Sequence, residues 1–309
     1  MIPETIRKTV VFSAFAACVA AAPGAALAQQ TDRAQAATRN CGAVEAQPDT
    51  LPGAISYTYK SAGRPLRIHL FDPAPVTGEN RPAVLFFFGG GWRTGKITAF
   101  EAQARALSAR GYVTALADYR VSCRENVNAL DSVADARSAY DWLRGQAHTL
   151  QIDPERIVLA GGSAGGHLAA TTAMLADADD KPAALVLFNP AVDMELIGPR
   201  IGLTPEASSS ISPMTLPLDG LPPTIVFHGK DDTTVPIGSV RAFCARVTGA
   251  GLSCDLTEYA GQKHSFFHSR TVDPAIKASP YDDTLKRMTD FLERIVPAKP
   301  GGALAKAPK

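Results

Sequence analysis

The stretch RIVLAGGSAGG, residues 156–166, decides how the rest of the chain is interpreted. An apolar run is followed at once by Gly161, Gly162 and Ser163, then by Ala164, Gly165 and the helix-forming HLAATTAMLA. This is a G-x-S-x-G string in a strand–turn–helix setting. Glycines two residues either side of the serine remove the collisions that a sharp turn would create, so Ser163 is predicted to stand clear at a helix N-terminus. The same string also suits a glycine-rich anion-binding turn, although the Gly-Lys-Ser/Thr of Walker-type turns is absent.

Short apolar runs and longer helical patterns alternate along the chain. The apolar runs, typical of strands covered on both faces, lie at 83–88, 113–119, 156–160, 183–188 and 224–228. Patterns with helical spacing lie at 99–110, 131–149, 165–176, 237–249 and 281–295. At the start, ISYTYK and LRIHLF flank SAGRP and predict a hairpin. We therefore expect an α/β fold with a mostly parallel, doubly wound sheet, flanking helices and an antiparallel N-terminal hairpin.

Chemically useful residues follow three of the predicted strands, where ligands bind in sheets of this kind. Ser163 follows one strand, Asp232 follows TIVFHGK, and His264 follows LTEYAGQK. A serine needs an imidazole to take its proton, and the imidazole needs a carboxylate to fix its tautomer and stabilise its charge. The order Ser, Asp, His therefore predicts a nucleophile, an orienting acid and a base. The neighbouring Asp231 is an alternative for the acid.

Three glycines follow the strand at 83–88, in the stretch FGGGW. They let the backbone approach a substrate with its N–H groups turned inward. With the N–H of Ala164, the N–H groups of this loop are predicted to stabilise a tetrahedral oxyanion. Trp92 is predicted to shape the substrate pocket.

These segments together resemble the α/β-hydrolase fold, and more closely the esterases of the hormone-sensitive-lipase-like group and the carbohydrate-esterase-like hydrolases. The resemblance runs from about Tyr57 to Ile295 and includes ADYR, the elbow around Ser163, LPPTIVFHGKDDTTVP and GQKHSFF. It implies ester hydrolysis by Ser163, Asp232 and His264, with the N–H groups of Gly90, Gly91 and Ala164 as oxyanion donors. No cofactor is expected. One departure is Phe88, where the family usually has the histidine of H-G-G-G; this leaves open what holds the glycine loop.

The first residues have the pattern of a secretory signal peptide. Arg7 and Lys8 precede an apolar run at 10–22, and Ala26-Leu27-Ala28 offers a small-residue cleavage site. The alternatives are a membrane anchor, for which the run is short, and a lipoprotein at Cys18, which Phe15 suits poorly. We expect a signal peptide at 1–28, a linker at 29–45, a catalytic domain at 46–296 and a disordered tail at 297–309. The protein is then periplasmic or secreted.

Export changes how the cysteines are interpreted, because it places them in an oxidising compartment. Four remain after signal removal: Cys41, Cys123, Cys244 and Cys254. The last two bracket a predicted helix end and strand start, so closing their loop is easy. We favour Cys244–Cys254, with Cys41–Cys123 as the remaining pair; the alternative is four buried thiols.

Bulk composition excludes several function classes. The chain has 309 residues and a net charge of +1, which gives no reason to expect nucleic acid or an anionic membrane as partner. No His, Cys and Asp cluster has zinc spacing, so no metal is expected.

The favoured function is hydrolysis of short acyl esters, or of acetyl or aromatic esters of carbohydrates. A prolyl-oligopeptidase-like serine peptidase is the alternative, and a non-catalytic binding member of the fold is a third possibility.

Overall fold

A computed structural model of the protein describes residues 41–72 and 80–299. The predicted signal peptide, most of the predicted linker and most of the predicted tail lie outside the described residues. In the described part, eight strands form one sheet in the order β1-β2-β4-β3-β5-β6-β7-β8. Strand β2 is antiparallel to both β1 and β4, and the other neighbours are parallel. The predicted α/β-hydrolase architecture, with its antiparallel hairpin, is therefore confirmed.

The strands follow the predicted apolar runs closely. They are β1 Ile55–Ser61, β2 Pro65–Phe71, β3 Arg81–Phe87, β4 Val113–Ala117, β5 Ile152–Gly162, β6 Ala184–Phe188, β7 Thr224–Gly229 and β8 Cys254–Tyr259. Every residue of β3, β4, β6 and β7 is buried. Strands buried along their whole length need helices on both faces of the sheet, which is why their sequences are continuously apolar rather than alternating.

Helices connect the strands. They are α1 Glu101–Ser108, α2 Ser122–Glu125, α3 Ala129–Gly145, α4 Ala164–Leu175, α5 Met194–Ile197, α6 Pro205–Ser210, α7 Ile237–Gly249 and α8 Pro280–Ile295. Helix α3 begins with a capping box, in which the Asn128 side chain accepts from the Asp131 N–H and the Asp131 carboxylate accepts from the Asn128 N–H. None of the helices in the described ranges is long and apolar enough to cross a membrane.

The strand order places the site. After β3 the chain first adds β4 on one side and then returns to add β5 on the other. The loops that leave the carboxyl ends of β3 and β5 therefore diverge, and such a switch point opens a crevice where ligands bind. The glycine loop follows β3 and the Ser163 turn follows β5, so this topology brings them together.

Two sequence expectations need correction. The strand predicted at 113–119 ends at Ala117, because the Tyr119 N–H is taken by the Asp118 carboxylate rather than by the ladder. The segment 191–220, whose Pro- and Ser-rich sequence predicts irregular structure, contains α5 and α6. Each has a side-chain cap, since Asp193 accepts from the Leu196 N–H and Thr204 accepts from the Ala207 N–H.

Two disulfides join the cysteines in the favoured pairs. Cys41 is bonded to Cys123 with Cα atoms 5.5 Å apart, and Cys244 is bonded to Cys254 with Cα atoms 5.3 Å apart. The first pair ties residues 41–45, which the sequence analysis assigned to a linker, to the catalytic domain. The second pair joins the last turns of α7 to the first residue of β8.

Helix α4 packs against β3 through a glycine. A Cβ on Gly165 would collide with the backbone carbonyls of Phe87 and Phe88. Because backbone cannot rotate away as a side chain can, this position has no room for any other residue. The close approach sets the distance between the Ser163 turn and the glycine loop.

This packing predicts opposite effects for two glycine substitutions. Gly165→Ala should lower the free energy of unfolding by about 1–3 kcal/mol or more through overpacking. Gly238→Ala, on α7 with open space around the position, should leave stability unchanged or raise it by up to about 1 kcal/mol, because alanine favours helix. Urea unfolding of both variants beside wild type measures this. Equal stability of the two variants would contradict it.

Candidate active site

Ser163 lies on a strained turn between β5 and α4. Its backbone has φ 56° and ψ −120°, a left-handed conformation that non-glycine residues rarely adopt. A Cβ on Gly161 would lie 2.8 Å from the Phe87 carbonyl oxygen and closer still to the Gly165 carbonyl. The glycines of the G-x-S-x-G string therefore serve the close backbone packing that the sequence predicted, and the serine stands at a helix N-terminus.

The three residues predicted as nucleophile, base and acid lie in one hydrogen-bonded chain. Ser163 Oγ is 2.9 Å from His264 Nε2, and His264 Nδ1 is 2.6 Å from Asp232 Oδ2. They come from the ends of β5, β8 and β7, separated by up to 101 residues in sequence. With Nδ1–H donating to the carboxylate, Nε2 carries the lone pair that can accept the serine proton.

The Asp232 carboxylate is buried and held in its ionised form. Its side chain has no exposed surface, and its Oδ1 accepts from the N–H groups of Thr234 and Val235, both at 2.9 Å. Burial acts to raise the pKa of Asp232, but the hydrogen bond from His264 and the two backbone N–H groups outweigh it, so this pKa lies below its ordinary value. A negative charge therefore remains opposite the imidazole.

Asp231, the alternative acid, is not the carboxylate that His264 bonds. It is exposed, and its backbone N–H donates to the Gln262 carbonyl at 3.0 Å. A second imidazole instead borders the acid: His228 Nε2 donates to the Val235 carbonyl at 2.9 Å and lies 3.5 Å from Asp232 Oδ2. Burial lowers the pKa of His228, which keeps its ring neutral beside the carboxylate.

The glycine loop, residues 88–95, passes directly beside the nucleophile. A Cβ on Gly89 would lie 3.3 Å from Ser163 Cβ and 2.9 Å from the Gly162 carbonyl oxygen. Within the described part of the chain, the N–H groups of Gly90, Gly91 and Ala164 donate no hydrogen bond. They are therefore available to an oxyanion formed at Ser163, and that role stays a prediction.

Phe88, which stands where the family usually has a histidine, is held in place by Tyr119. Its ring stacks on that of Tyr119 with centroids 4.0 Å apart, and the Tyr119 hydroxyl donates to the Phe88 carbonyl at 2.6 Å. Tyr119 is fully buried, and burial raises its pKa, so the hydroxyl keeps its proton. The base of the loop is thus supported by stacking and by a backbone hydrogen bond.

Trp92 belongs to the glycine loop, and its side chain is buried. It is 4% exposed and meets the His167 ring edge-on at 5.0 Å. His167 is buried and donates from Nε2 to the Ile211 carbonyl at 2.8 Å, and burial lowers the pKa of His167 to about 4. His167 is thus a packing residue, while contact between Trp92 and a substrate stays a prediction.

Asn189 is a site residue that the sequence analysis missed. It directly follows β6, has φ 36°, and accepts from the Ser265 N–H through Oδ1 at 3.1 Å. It therefore orients the turn that carries His264. The sequence did contain a signal, because Asn189 directly follows the apolar run LVLF, and polar residues at the ends of such runs are the candidates for a site in this kind of sheet.

Three other polar side chains, those of His69, Arg120 and His268, have structural partners. His69 bonds Ser56 at 2.7 Å, and Arg120 pairs with the buried Asp135 at 2.7 Å. His268 contacts the ring of Phe267.

Across residues 41–72 and 80–299 no group of three His, Cys, Asp or Glu side chains is placed to hold a metal ion.

Comparison with known proteins adds the family. A family model described as BD-FAE matches residues 69–186. Carboxylesterase NlhH of Mycobacterium tuberculosis is 27% identical over 232 residues, which are 65% of this chain and 71% of that protein. The matched region of the family model includes the glycine loop and the Ser163 turn.

Solved structures of a thermophilic esterase, Est2 from the Planctomycetes species Thermogutta terrifontis, cover more of the chain. The native form superposes with a TM-score of 0.74 at 36% identity, over 85% of this chain and 99% of that one. A butyrate-bound form and a form phosphorylated by paraoxon have TM-scores of 0.73 and 0.72, identities of 36% and 38%, and cover 81% of this chain and 97% of theirs.

NlhH and Est2 both carry esterase names, which favours ester hydrolysis over the peptidase and non-catalytic interpretations. The match to the native Est2 structure covers 85% of this chain. The chain belongs to the hormone-sensitive-lipase-like serine esterases of the α/β-hydrolase fold and is a carboxylic ester hydrolase.

Proposed function

We propose that this protein is an exported esterase that cleaves short acyl esters through an acyl-enzyme on Ser163. The observation that carries the proposal is the hydrogen-bonded chain from Ser163 Oγ to His264 and on to the buried Asp232, at 2.9 and 2.6 Å. The phosphorylation of Est2 by paraoxon supports a nucleophile in this fold, and its butyrate-bound form supports a short acyl group.

The geometry supplies each step of acylation. As Ser163 Oγ bonds to the ester carbonyl carbon, its proton passes to His264 Nε2, and the carbonyl oxygen gains the negative charge. The N–H groups of Gly90, Gly91 and Ala164 stabilise that oxyanion. When the tetrahedral species collapses, the bond to the alcohol oxygen breaks and His264 returns the proton to the leaving alcohol.

Deacylation repeats these steps with water in place of the serine. His264 Nε2 takes a proton from water as the water oxygen bonds to the acyl carbon, and the same N–H groups hold the second oxyanion. Collapse breaks the bond to Ser163 Oγ, which recovers its proton from His264 and releases the carboxylic acid. The ionised Asp232 stabilises the imidazolium in both halves of the reaction.

Replacing the nucleophile should abolish turnover. With p-nitrophenyl esters from acetate to palmitate, we expect wild type to favour short chains and Ser163→Ala to lose at least about a thousandfold in kcat. Paraoxon should inactivate wild type with one phosphoryl group on the peptide that contains Ser163. The control is Ser239→Ala. Among the described residues the Ser239 hydroxyl bonds only the Pro236 carbonyl. Equal hydrolysis by Ser163→Ala and wild type would refute the assignment.

The two neighbouring aspartates should differ sharply. Asp232→Asn keeps the shape of the acid but removes the charge that stabilises the imidazolium, so kcat should fall by about 10⁴-fold. Asp231→Asn changes an exposed side chain and should stay within about twofold of wild type, as surface changes usually do. Steady-state kinetics of both variants on p-nitrophenyl acetate test this. A large loss in Asp231→Asn would assign the acid to that residue instead.

We expect the exported protein to begin near Gln29. The charged start, the apolar run at 10–22 and Ala26-Leu27-Ala28 support cleavage by a signal peptidase. The two disulfides support an oxidising compartment. N-terminal sequencing of protein from the periplasm or medium gives the cleavage point, and a variant lacking residues 2–28 should stay in the cytoplasm. A mature chain that starts at Met1 would refute export with cleavage.

A further inference from the structure

The glycine loop turns through four residues with positive φ, and one of them, Trp92, is not a glycine. Gly90, Gly91 and Gly95 have φ of 131°, 63° and 124°, and Trp92 has φ of 56°. A non-glycine residue in the left-handed region is strained and persists only where the surroundings hold it. The loop that carries the predicted oxyanion donors therefore depends on contacts from outside itself.

Part of this support comes from the chain after β4. The Ser122 N–H donates to the Trp92 carbonyl at 2.9 Å, and the Cys123 N–H donates to the Arg93 carbonyl at 3.0 Å. These two bonds hold the tip of the loop, and Tyr119 holds its base at Phe88. They leave the returning arm, residues 94–97, to be held by other groups.

Gln47 holds the returning arm. Its side-chain amide donates to the Gly95 carbonyl at 2.8 Å and accepts from the Ile97 N–H at 2.9 Å. The Arg124 guanidinium also donates to the Gly95 carbonyl, at 2.9 Å. A single half-buried glutamine thus satisfies two backbone groups of the loop, two residues apart.

The returning arm in turn fixes the arm that carries the donors. The Thr94 N–H donates to the Gly90 carbonyl at 3.1 Å. A Cβ on Gly95 would collide with the Gly89 carbonyl and the Phe88 ring. Because the two arms are in direct backbone contact, a shift of Gly95 moves Gly90 and its N–H.

A disulfide lies close to Gln47 in the sequence. Cys41, six residues before it, is bonded to Cys123, and Cys123 itself donates to the loop. We propose that Gln47 is a positioning residue for the oxyanion donors and that the Cys41–Cys123 disulfide anchors it. This inference rests on the proposed function, since it assigns Gln47 to the same site.

The test compares Gln47→Met with Glu45→Gln. Methionine nearly matches the volume of glutamine but lacks both hydrogen-bonding groups. Glu45→Gln alters the same segment but removes only an exposed ion pair with Lys96. A misplaced oxyanion donor lowers transition-state binding, so kcat of Gln47→Met should fall about 10- to 100-fold with KM within about threefold. Glu45→Gln should match wild type.

A second readout separates positioning from folding. A trifluoromethyl ketone forms a tetrahedral adduct whose oxyanion uses the same donors, so its Ki should rise by the factor by which kcat/KM falls. Thermal unfolding, followed by circular dichroism, defines a temperature at which every variant is folded, and the kinetics are measured there. A purely structural role for Gln47 would lower the melting temperature and leave kcat and this Ki unchanged.

The two disulfides supply a matched pair of variants that leave Gln47 in place. Cys41→Ser with Cys123→Ser frees the anchor and should lower kcat about three- to tenfold through the same displacement. Cys244→Ser with Cys254→Ser removes a disulfide that does not contact the loop and should leave kcat unchanged. Equal kcat in these two double variants would overturn the anchoring role.

Ser163→Ala in the same panel distinguishes the two failures. If Ser163→Ala retains turnover, the proposed function itself is wrong. If Ser163→Ala is inactive while Gln47→Met keeps the wild-type kcat and Ki, only the positioning role is overturned. A rise in KM alone in Gln47→Met would also overturn it, because it would make Gln47 a ground-state binding residue.

Discussion

The strained backbone of Ser163 is the constraint on which the rest of the site depends. A residue at φ 56° on a sharp turn is tolerated only where neighbouring backbone is packed tightly enough to prevent relaxation. Here α4 approaches β3 so closely that Gly161 and Gly165 have no room for a Cβ. The same approach puts the glycine loop after β3 beside the serine, so the nucleophile and the predicted oxyanion donors share one packing interface.

At the other end of the site, the charge of Asp232 is controlled by the groups that bury it. Asp232 is enclosed, yet it stays ionised because backbone N–H groups and the imidazole of His264 compensate its lost hydration. The neutral His228 closes the same pocket without adding charge. A carboxylate fixed in this way cannot turn away from His264, which keeps the imidazole in the tautomer that acid–base chemistry requires.

The glycine loop shows how one function can be preserved with different supports. Its N–H groups act through backbone, so any arrangement that holds the backbone in place serves. In this chain the arrangement combines stacking of Phe88 on Tyr119, the backbone of Ser122 and Cys123, and the side chain of Gln47. The disulfide to Cys41 brings a segment outside the α/β core into that arrangement.

Local patterns sufficed for the sheet, for the order of the site residues and for the glycine turn. Apolar runs mark buried strands, and steric rules for a serine turn act within a few residues, so both can be read from neighbours in sequence. Partners distant in sequence could not be predicted this way. Asn189 reaches Ser265 across 76 residues and Gln47 reaches Gly95 across 48. The family resemblance favoured Asp232 over Asp231, but local patterns left both open. The packing of β7 against β8 is what brings the Asp232 carboxylate to His264.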